Sequence, residues 1–337
     1  MRLMSYKEDT LQQHCSAAIQ PQIAILIPCF NEKLTIGKVI EDFKKNVPSA
    51  VVYVYDNNSS DNTAYKARSA GAIVIDEKRQ GKGFVLQSMF MDIKADFYVL
   101  VDGDDTYPAE RVCDLLGPLI QHQADMVVGT RLKDFDHKAF RPFHVFGNHL
   151  VVSVINFLFH SHIKDAMSGY RAFNRDLIRC IPIVSMGFEI ETELTLQALY
   201  RNMIIKEIPI VYKERHEGSY SKLNTIQDGI RVLLKLFNIF KAYRPMLFFS
   251  SIGGVIALMG LAFGSVPIVE FLQTGKVLRF PMAILASALE IIAMVSFTCG
   301  ILLDSINHHF KEISQLIRQL DYQNGVSWVA GINRRQE

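Results

Sequence analysis

The sequence predicts an α/β domain with a mainly parallel sheet, followed by two membrane-spanning helices. Three observations carry this. Short apolar runs alternate with helical segments through the first 130 or so residues. Polar and acidic residues collect just after those runs. Two later stretches, each longer than 20 residues, are almost uncharged.

The elements follow in order. Residues 1–21 show no periodicity and read as an arm. IAILIP (23–28) is a short apolar run ended by Pro28, as in a strand buried on both faces. Thr35 to Asn46 reads as a helix, VVYVY (51–55) as a strand ending at Asp56, and Asp61 to Ala70 as a helix capped by Asp61. AIVID (72–76), a helix from Gly83 to Ile93, and FYVLV (97–101) running into Asp102 come next. Pro108 to Ile120 reads as a helix with proline at its start, and DMVVGT (125–130) as a fifth strand. Ligands of such sheets bind beyond the carboxyl ends of the strands. Those ends are Pro28–Glu32, Asp56–Ser60, Asp102–Asp105 and Gly129–Arg131.

The composition is consistent with a split chain. Its 337 residues allow roughly two domains. The 36 Lys+Arg against 34 Asp+Glu leave +2, no field to attract nucleic acid, so no nucleic-acid partner is expected. Hydrophobic residues make up 49% and charged ones only 21%, and the shortage of charge is local. Met246–Val269 has no charge, and Pro281–Leu303 has only Glu290. The loop between them is short, which predicts a hairpin with both chain termini on one side. Arg231, Lys235, Lys241 and Arg244 precede the pair and Lys311 and Arg318 follow it, against Lys276 and Arg279 in the loop. That bias places the α/β domain and both termini in the cytoplasm, on an inner (cytoplasmic) membrane. Glu290 is read either as facing the other helix, neutral or hydrogen-bonded, or as contacting another protomer or a lipid phosphate. Ile226, Ile230, Leu233, Leu234, Phe237 and Phe240 form one stripe, as in an amphipathic interfacial helix. The expected domains are 1–21, 22–224, 225–244, 245–304 and a tail at 305–337. Five scattered cysteines (Cys15, Cys29, Cys113, Cys180, Cys299) with no CxxC argue against a disulfide framework or a zinc site and fit a reducing compartment. The first residues lack an apolar h-region, so no secretory signal is expected.

VDGDDTYP (101–108) is the sharpest motif. Asp102, Asp104 and Asp105 crowd one strand end, and their repulsion calls for a cation or donors. Mg²⁺ or Mn²⁺ held by one or two carboxylates with substrate phosphates answers that; an acidic turn is the plain alternative. Asp56 could accept from a base or ribose. IPCFNE (27–32) places Asn31 and Glu32 at the first strand end. RQGKG (79–83) flanks Lys82 with glycines, as a simple turn or a phosphate contact would.

Together IPCFNE, DNNSSDNT, RQGKG, DGDD, VGTR (128–131) and DAMSGYRAF (165–173) resemble glycosyltransferase family 2 over residues 22–235. More narrowly they resemble the polyprenyl- or dolichyl-phosphate sugar synthases, including dolichol-phosphate mannose synthases. The C-terminal hairpin is similar to that of bacterial GtrB-type members, some of them tetramers. The resemblance implies a GT-A fold and a metal-dependent hexosyltransferase that moves sugar from a nucleotide to a lipid phosphate. It also implies a homo-oligomer.

Residue by residue, it puts Pro28, Asn31, Glu32 and Asp56 at the nucleoside and Lys82 in the substrate site. Asp102 and Asp104 would hold the metal and diphosphate, Asp104 also being catalytic. Asp165 would stand at the sugar and acceptor side as a catalytic group, and Arg131 at the acceptor phosphate. Ser168, Gly169 and Arg171 would shape the pocket. Arg215 and Lys222 would belong to a basic loop closing over the diphosphate, Arg215 as a catalytic group. Glu189 and Glu191 resemble the family's acidic pair, though a helix-start charge explains them equally. Members often carry a further arginine after VGxR; here FHVFGNHL offers His144, or Arg131 and Arg141 hold the phosphate alone.

A phosphate monoester is already anionic near neutral pH, so no strong base is needed and inversion in one displacement is expected. UDP-glucose or UDP-N-acetylglucosamine is favoured by the GtrB-like arrangement. The rivals are a GDP-mannose-dependent synthase, a processive polysaccharide synthase and a non-catalytic membrane scaffold. The Q-x-x-R-W signature of processive enzymes is absent, since the one tryptophan is Trp328. A nucleotidylyltransferase would need G-x-G-T-R where PCFNE stands.

Overall fold

The computed structural model describes residues 21–135, 142–183, 190–213 and 237–333. They form two compact units: residues up to 148 with 163–221, and 149–162 with the chain from 222 onward.

The first unit is built on a seven-stranded sheet. Its strands are β1 (Ile23–Cys29), β2 (Val51–Asp56), β3 (Ile73–Asp76), β4 (Phe97–Leu100), β5 (Met126–Phe135), β6 (Arg171–Asn174) and β7 (Ile205–Tyr212), in the order β3-β2-β1-β4-β6-β5-β7. The five strands expected from the sequence are present and mutually parallel. A short sixth strand, β6, runs antiparallel between β4 and β5, pairing Val99 with Ala172 and Val127 with Ala172. The sheet is therefore mixed, as in the GT-A fold. β7 adds an edge parallel to β5, where Pro209 is tolerated because an edge strand need not donate on both sides. β5 continues to Phe135, past the expected end at Thr130.

Why the apolar runs were legible is plain from their burial. Ile23, Ile25 and Ile27 of β1 join a core on one face; Ala24 and Leu26 join a core on the other. Helix α1 (Ile36–Asn46) closes the first face with Ile36, Val39, Ile40 and Phe43, one helical stripe. Helices α2 (Thr63–Ser69) and α4 (Val112–Ile120) lie on that face as well. Helix α3 (Lys82–Asp92), α6 (Arg175–Cys180) and α7 (Ile190–Tyr200) cover the other. The segment expected as one helix from Pro108 begins as a 3₁₀ turn, Ala109–Arg111, with Pro108 extended before it.

Three strand ends turn through left-handed residues: Asn31 (φ 57°), Asn58 (φ 61°) and Asp105 (φ 58°). Asn and Asp are the non-glycine residues that tolerate this conformation best. Part of the polar character of these turns is thus a backbone requirement.

Helix α5 (Pro142–Phe159) contributes to both units. In the second unit Arg244 Nε donates to Leu158 O (2.9 Å), and Phe159 meets Tyr243 edge-on. Residues 237–243 are helical, and residues 225–236 of the expected amphipathic helix lie outside the described residues. Helices α8 (Pro245–Thr274) and α9 (Phe280–Asn333) follow, joined by a turn in which Gly275 caps α8 at φ 68°. Both are long and apolar enough to cross a membrane. The expected tail is no separate element: α9 continues through it to Asn333.

Small residues form the seam between α8 and α9. Gly253 faces Ala293 and Phe297, Gly260 faces the Glu290 carboxyl, and Gly264 faces Ala286. Ser296 Oγ donates across the seam to Phe249 O (3.0 Å). Glu290 thus lies against the other helix, one of the two placements its sequence context allowed.

A Cβ at Gly260 would lie 2.5 Å from Glu290 Oε1, so the carboxyl would have to move, whereas a Cβ at Gly254 would meet nothing within 4 Å. Gly260→Leu is expected to lower the unfolding temperature of the detergent-solubilised protein by several degrees and to broaden its size-exclusion peak. Gly254→Ala should leave both unchanged or slightly improved.

Candidate active site

The site grows from the carboxyl ends of β1, β2 and β4. At the end of β1, half-buried Pro28 leads to the buried Cys29. Asn31 Oδ1 accepts from Ser60 N (2.8 Å), and Asn31 N donates to Ser59 Oγ (2.8 Å), tying the β1 turn to the β2 turn. Glu32 N donates to Thr63 Oγ1 (2.9 Å), which fixes the Glu32 backbone at the head of α1. Asp61 Oδ1 accepts from Thr63 N (2.9 Å) one residue ahead of Asn62, the N-cap of α2, so the helix begins later than the expected start at Asp61 and Asp61 stabilises the turn before it.

Asp56 is 7% exposed. Its Oδ2 accepts from Ser59 N (3.1 Å), while Oδ1 is sheltered from solvent and has no protein partner. A buried carboxylate oxygen left this way costs free energy unless a donor arrives. The neighbouring Asn57 organises the RQGKG turn. Its amide donates to Glu77 O (3.0 Å) and Arg79 O (2.7 Å) and accepts from Gly81 N (2.8 Å). Gly81 itself sits at φ 140°, open only to glycine. Glu77 anchors the same turn: its hydrogen bonds from Arg79, opposed by burial and reinforced by Ser88, hold its carboxyl down to about 2.

Lys82, the first residue of α3, is the cation of the site. Its Nζ lies 2.6 Å from Asp102 Oδ1 and 2.5 Å from Glu191 Oε1, with 11% of the side chain exposed. Burial opposes its charge, and the two carboxylates overcome that and raise its pKa. The other Asp102 oxygen occupies the space where Gly169 would carry a Cβ. Asp104 is 3% exposed and accepts from Thr106 Oγ1 (2.6 Å). Gly103 between them packs on Cys29 Sγ, and its carbonyl accepts from Thr35 Oγ1 (2.6 Å). Burial pushes the Cys29 thiol up, and the charges of Glu32, Asp56, Asp102 and Asp104 push it further. Four carboxylates therefore converge around this one buried residue.

A second charged pair stands at the β5 end. Arg131 Nε lies 2.9 Å from Asp165 Oδ2 and Nη2 3.0 Å from Oδ1, a two-pronged contact. Asp165 is fully buried and also accepts from the backbone N–H groups of Arg131 (3.2 Å) and Met167 (3.0 Å). Burial works against its charge, but Arg131 and these N–H groups hold its pKa below the usual carboxylate range. Tyr107 links the two halves: its hydroxyl accepts from Gly169 N (2.9 Å), and it senses the charges of both Arg131 and Asp102.

Arg171 is also fully buried, and its donors go to the protein. Nε bonds Ser168 O (2.7 Å), Nη2 Ala166 O (2.8 Å) and Nη1 Thr195 Oγ1 (2.8 Å). Burial pushes its pKa down to about 10. Ser168 Oγ donates to Gly129 O (2.5 Å). These two residues hold the 165–170 turn against β5 and α7.

The comparisons with known proteins fit this arrangement. The family described as glycosyl transferase family 2 matches residues 24–181. Glycosyltransferase AglJ of Haloferax volcanii is 33% identical over 240 residues, covering 71% of this chain and 78% of that protein. The chain belongs to glycosyl transferase family 2. It is a glycosyltransferase. A dolichyl-phosphate hexose transferase of the same organism is 30% identical over 210 residues, 62% of this chain and 90% of that protein. Among solved structures, Mycobacterium tuberculosis glucosyl-3-phosphoglycerate synthase with Mn²⁺, UDP-glucose and phosphoglyceric acid shares the fold. Its TM-score is 0.54 at 21% identity, over 64% of this chain and 80% of that one.

For this family 2 enzyme the fold brings together Glu32, Asp56, Lys82, Asp102 and Asp104 at neighbouring strand ends, with Ser168 and Arg171 supporting the turn beside them. Arg131 and Asp165 form a pair of their own. Arg215, Lys222, Arg141 and Glu189 lie outside the described residues, as does the side chain of His144. Two contributors escaped the sequence reading. Tyr107 stood inside VDGDDTYP, but nothing marked its hydroxyl as a link. Glu207 of β7 accepts from Lys164 N (2.8 Å) and Asp165 N (3.0 Å), on a strand that was itself not recognised.

The Glu77 anchor gives a pH signature. Its folded pKa is depressed from the ordinary 4.5 to about 2, so its stabilisation is complete above about pH 5 and is lost as pH falls through that lower value. The stability difference between the wild type and Glu77→Gln, followed by urea unfolding, should shrink steadily from pH 5 to pH 2. A difference constant with pH would contradict the assignment.

Proposed function

We propose that this glycosyltransferase moves a hexose from a nucleotide sugar, with UDP-glucose or UDP-N-acetylglucosamine favoured, to a polyprenyl phosphate at a membrane. The observation that carries the reading is the meeting of carboxylates at the strand ends, with one Asp56 oxygen left for a ligand donor, in a chain that also has two helices long enough to span a bilayer. The name of the dolichyl-phosphate hexose transferase that the chain resembles supports the acceptor class. The charge bias around the hairpin supports a cytoplasmic site, and the GtrB-like hairpin supports a homo-oligomer.

The donor set fits a hard divalent cation. Asp102 and Asp104 offer only oxygen atoms, in a cluster with an excess of negative charge, which suits Mg²⁺ or Mn²⁺. Asp102 and Asp104 would hold that ion, which when bound neutralises charge on the donor diphosphate.

The chain's own residues account for the rest. Asp56 would accept from the nucleoside through its unpaired oxygen. Lys82, already inside the cluster, would place a positive charge by the donor, and Arg215 and Lys222, which match the family's basic segment, would add to it. Arg131, aimed by Asp165, would orient the acceptor phosphate. An acceptor oxygen then forms the new bond at the anomeric carbon as the bond to the diphosphate breaks, the electron pair leaving with the nucleotide. One such displacement inverts the centre. Asp165 has both oxygens engaged and a depressed pKa, so it is a positioning residue and removes no proton.

Incubation of the purified enzyme with undecaprenyl phosphate and a panel of UDP- and GDP-sugars should yield one lipid-linked monophosphate sugar, read by mass. No lipid product from any donor would overturn the proposal. Asp165→Asn should lower kcat by about 100-fold while nucleotide affinity by calorimetry changes less than about threefold. Unchanged kcat would remove Asp165 from the mechanism.

A further inference from the structure

We propose that His308, His309 and Glu312 form a binding site for one zinc-class divalent cation on α9, just beyond the apolar run that ends at Leu303. His308 Nδ1 lies 3.4 Å from Glu312 Oε1 and His309 Nδ1 3.1 Å from Glu312 Oε2. One ligand atom from each of the three residues can be chosen so that all lie within 4.8 Å of one another. A tetrahedral ion with bonds of about 2.0–2.2 Å needs ligand atoms about 3.3 Å apart. The two contacts run to the two different oxygens of Glu312, each near that spacing, and binding draws the three ligand atoms together from within 4.8 Å.

The chemistry selects the ion. Two imidazole nitrogens and one carboxylate oxygen suit zinc and its neighbours better than Mg²⁺ or Ca²⁺. This separates the site from the all-oxygen pair Asp102 and Asp104. Position 312 is four residues from 308 and three from 309, so a helix sets each imidazole beside the Glu312 carboxylate, while the two adjacent imidazoles, with ring centroids 6.3 Å apart, approach it from its two sides. Asn307 Nδ2 donates to Ala242 O (2.7 Å), which fixes the rotation of α9 next to the site. All three side chains are exposed, so an ion can enter and a water can complete its coordination.

The ordinary reading of the same residues is a pair of His–Glu contacts supporting the helix, in which each Nδ1 carries a proton and donates to the carboxylate. Metal binding requires the ligating nitrogen to be free of its proton. The proposal does not depend on the glycosyl-transfer reading, and a zinc titration separates them.

The full chain, purified without a polyhistidine tag and stripped with chelator, is titrated with Zn²⁺ against a chromophoric competitor at pH 7.5. One equivalent is expected to bind at micromolar or lower concentration. His308→Ala/His309→Ala and, separately, the near-isosteric Glu312→Gln should each weaken it by about tenfold or more, at least the loss typical of outer-shell changes. Asp102→Asn/Asp104→Asn should leave that equivalent in place. Zinc binding unchanged in both α9 variants, or absent from the wild type in the micromolar range, overturns the site.

Discussion

Lys82 holds one ammonium between two carboxylates that come from distant parts of the chain. Only a tenth of its side chain reaches solvent, and Asp102 and Glu191 each contact it directly. Two buried charges, Lys82 and Glu191, and the half-buried Asp102 are tolerable in this arrangement because each has an opposite partner. Breaking such a group by removing one member typically costs about 3–5 kcal/mol, since the others are left buried and unpaired. The consequence runs outward. The start of α3, the end of β4 and the start of α7 must meet at one point, and the RQGKG turn must deliver Lys82 there. Asn57, Gly81 and the Glu77–Arg79 contacts serve that delivery. Gly169 serves it too, by leaving space for the Asp102 carboxylate.

The second charged pair obeys the same rule with different chemistry. Arg131 and Asp165 make two parallel hydrogen bonds, and backbone N–H groups complete the carboxylate. A guanidinium fixed in this way keeps its plane and direction, which a lysine would not. Arg171 is a third buried cation, but its partners are two carbonyls and a hydroxyl. It spends its hydrogen bonds on the shape of the 165–170 turn. Of three conspicuous cations, one organises the acidic cluster, one is aimed by a carboxylate, and one is scaffold.

In the hairpin, charge is avoided and close approach replaces it. Helices in lipid gain little from burying apolar surface against each other, so packing decides their association. Glycines at 253, 260 and 264 let α8 approach α9, and the one carboxyl in the seam, Glu290, lies where Gly260 leaves space. A side chain at Gly253 would press on the Ala293 carbonyl and the Phe297 ring.

By itself, the sequence determined the five parallel strands, the helices between them and the two long apolar helices. Those signals are local: a strand buried on both faces reads as an apolar run, and a span reads as length without charge. It also determined which acids stand at the strand ends, because a sheet covered on both sides leaves only its edges for polar groups. Tertiary structure alone decided the rest. β6 is four residues carrying a buried arginine, and β7 is a half-exposed edge containing Pro209, so neither has the pattern of a buried strand. The union of Lys82 with Glu191, of Arg131 with Asp165, and the unpaired oxygen of Asp56 depend on which distant side chains the sheet brings within 3 Å or so. Pairing at that range is a property of packing, and no periodicity in the chain encodes it.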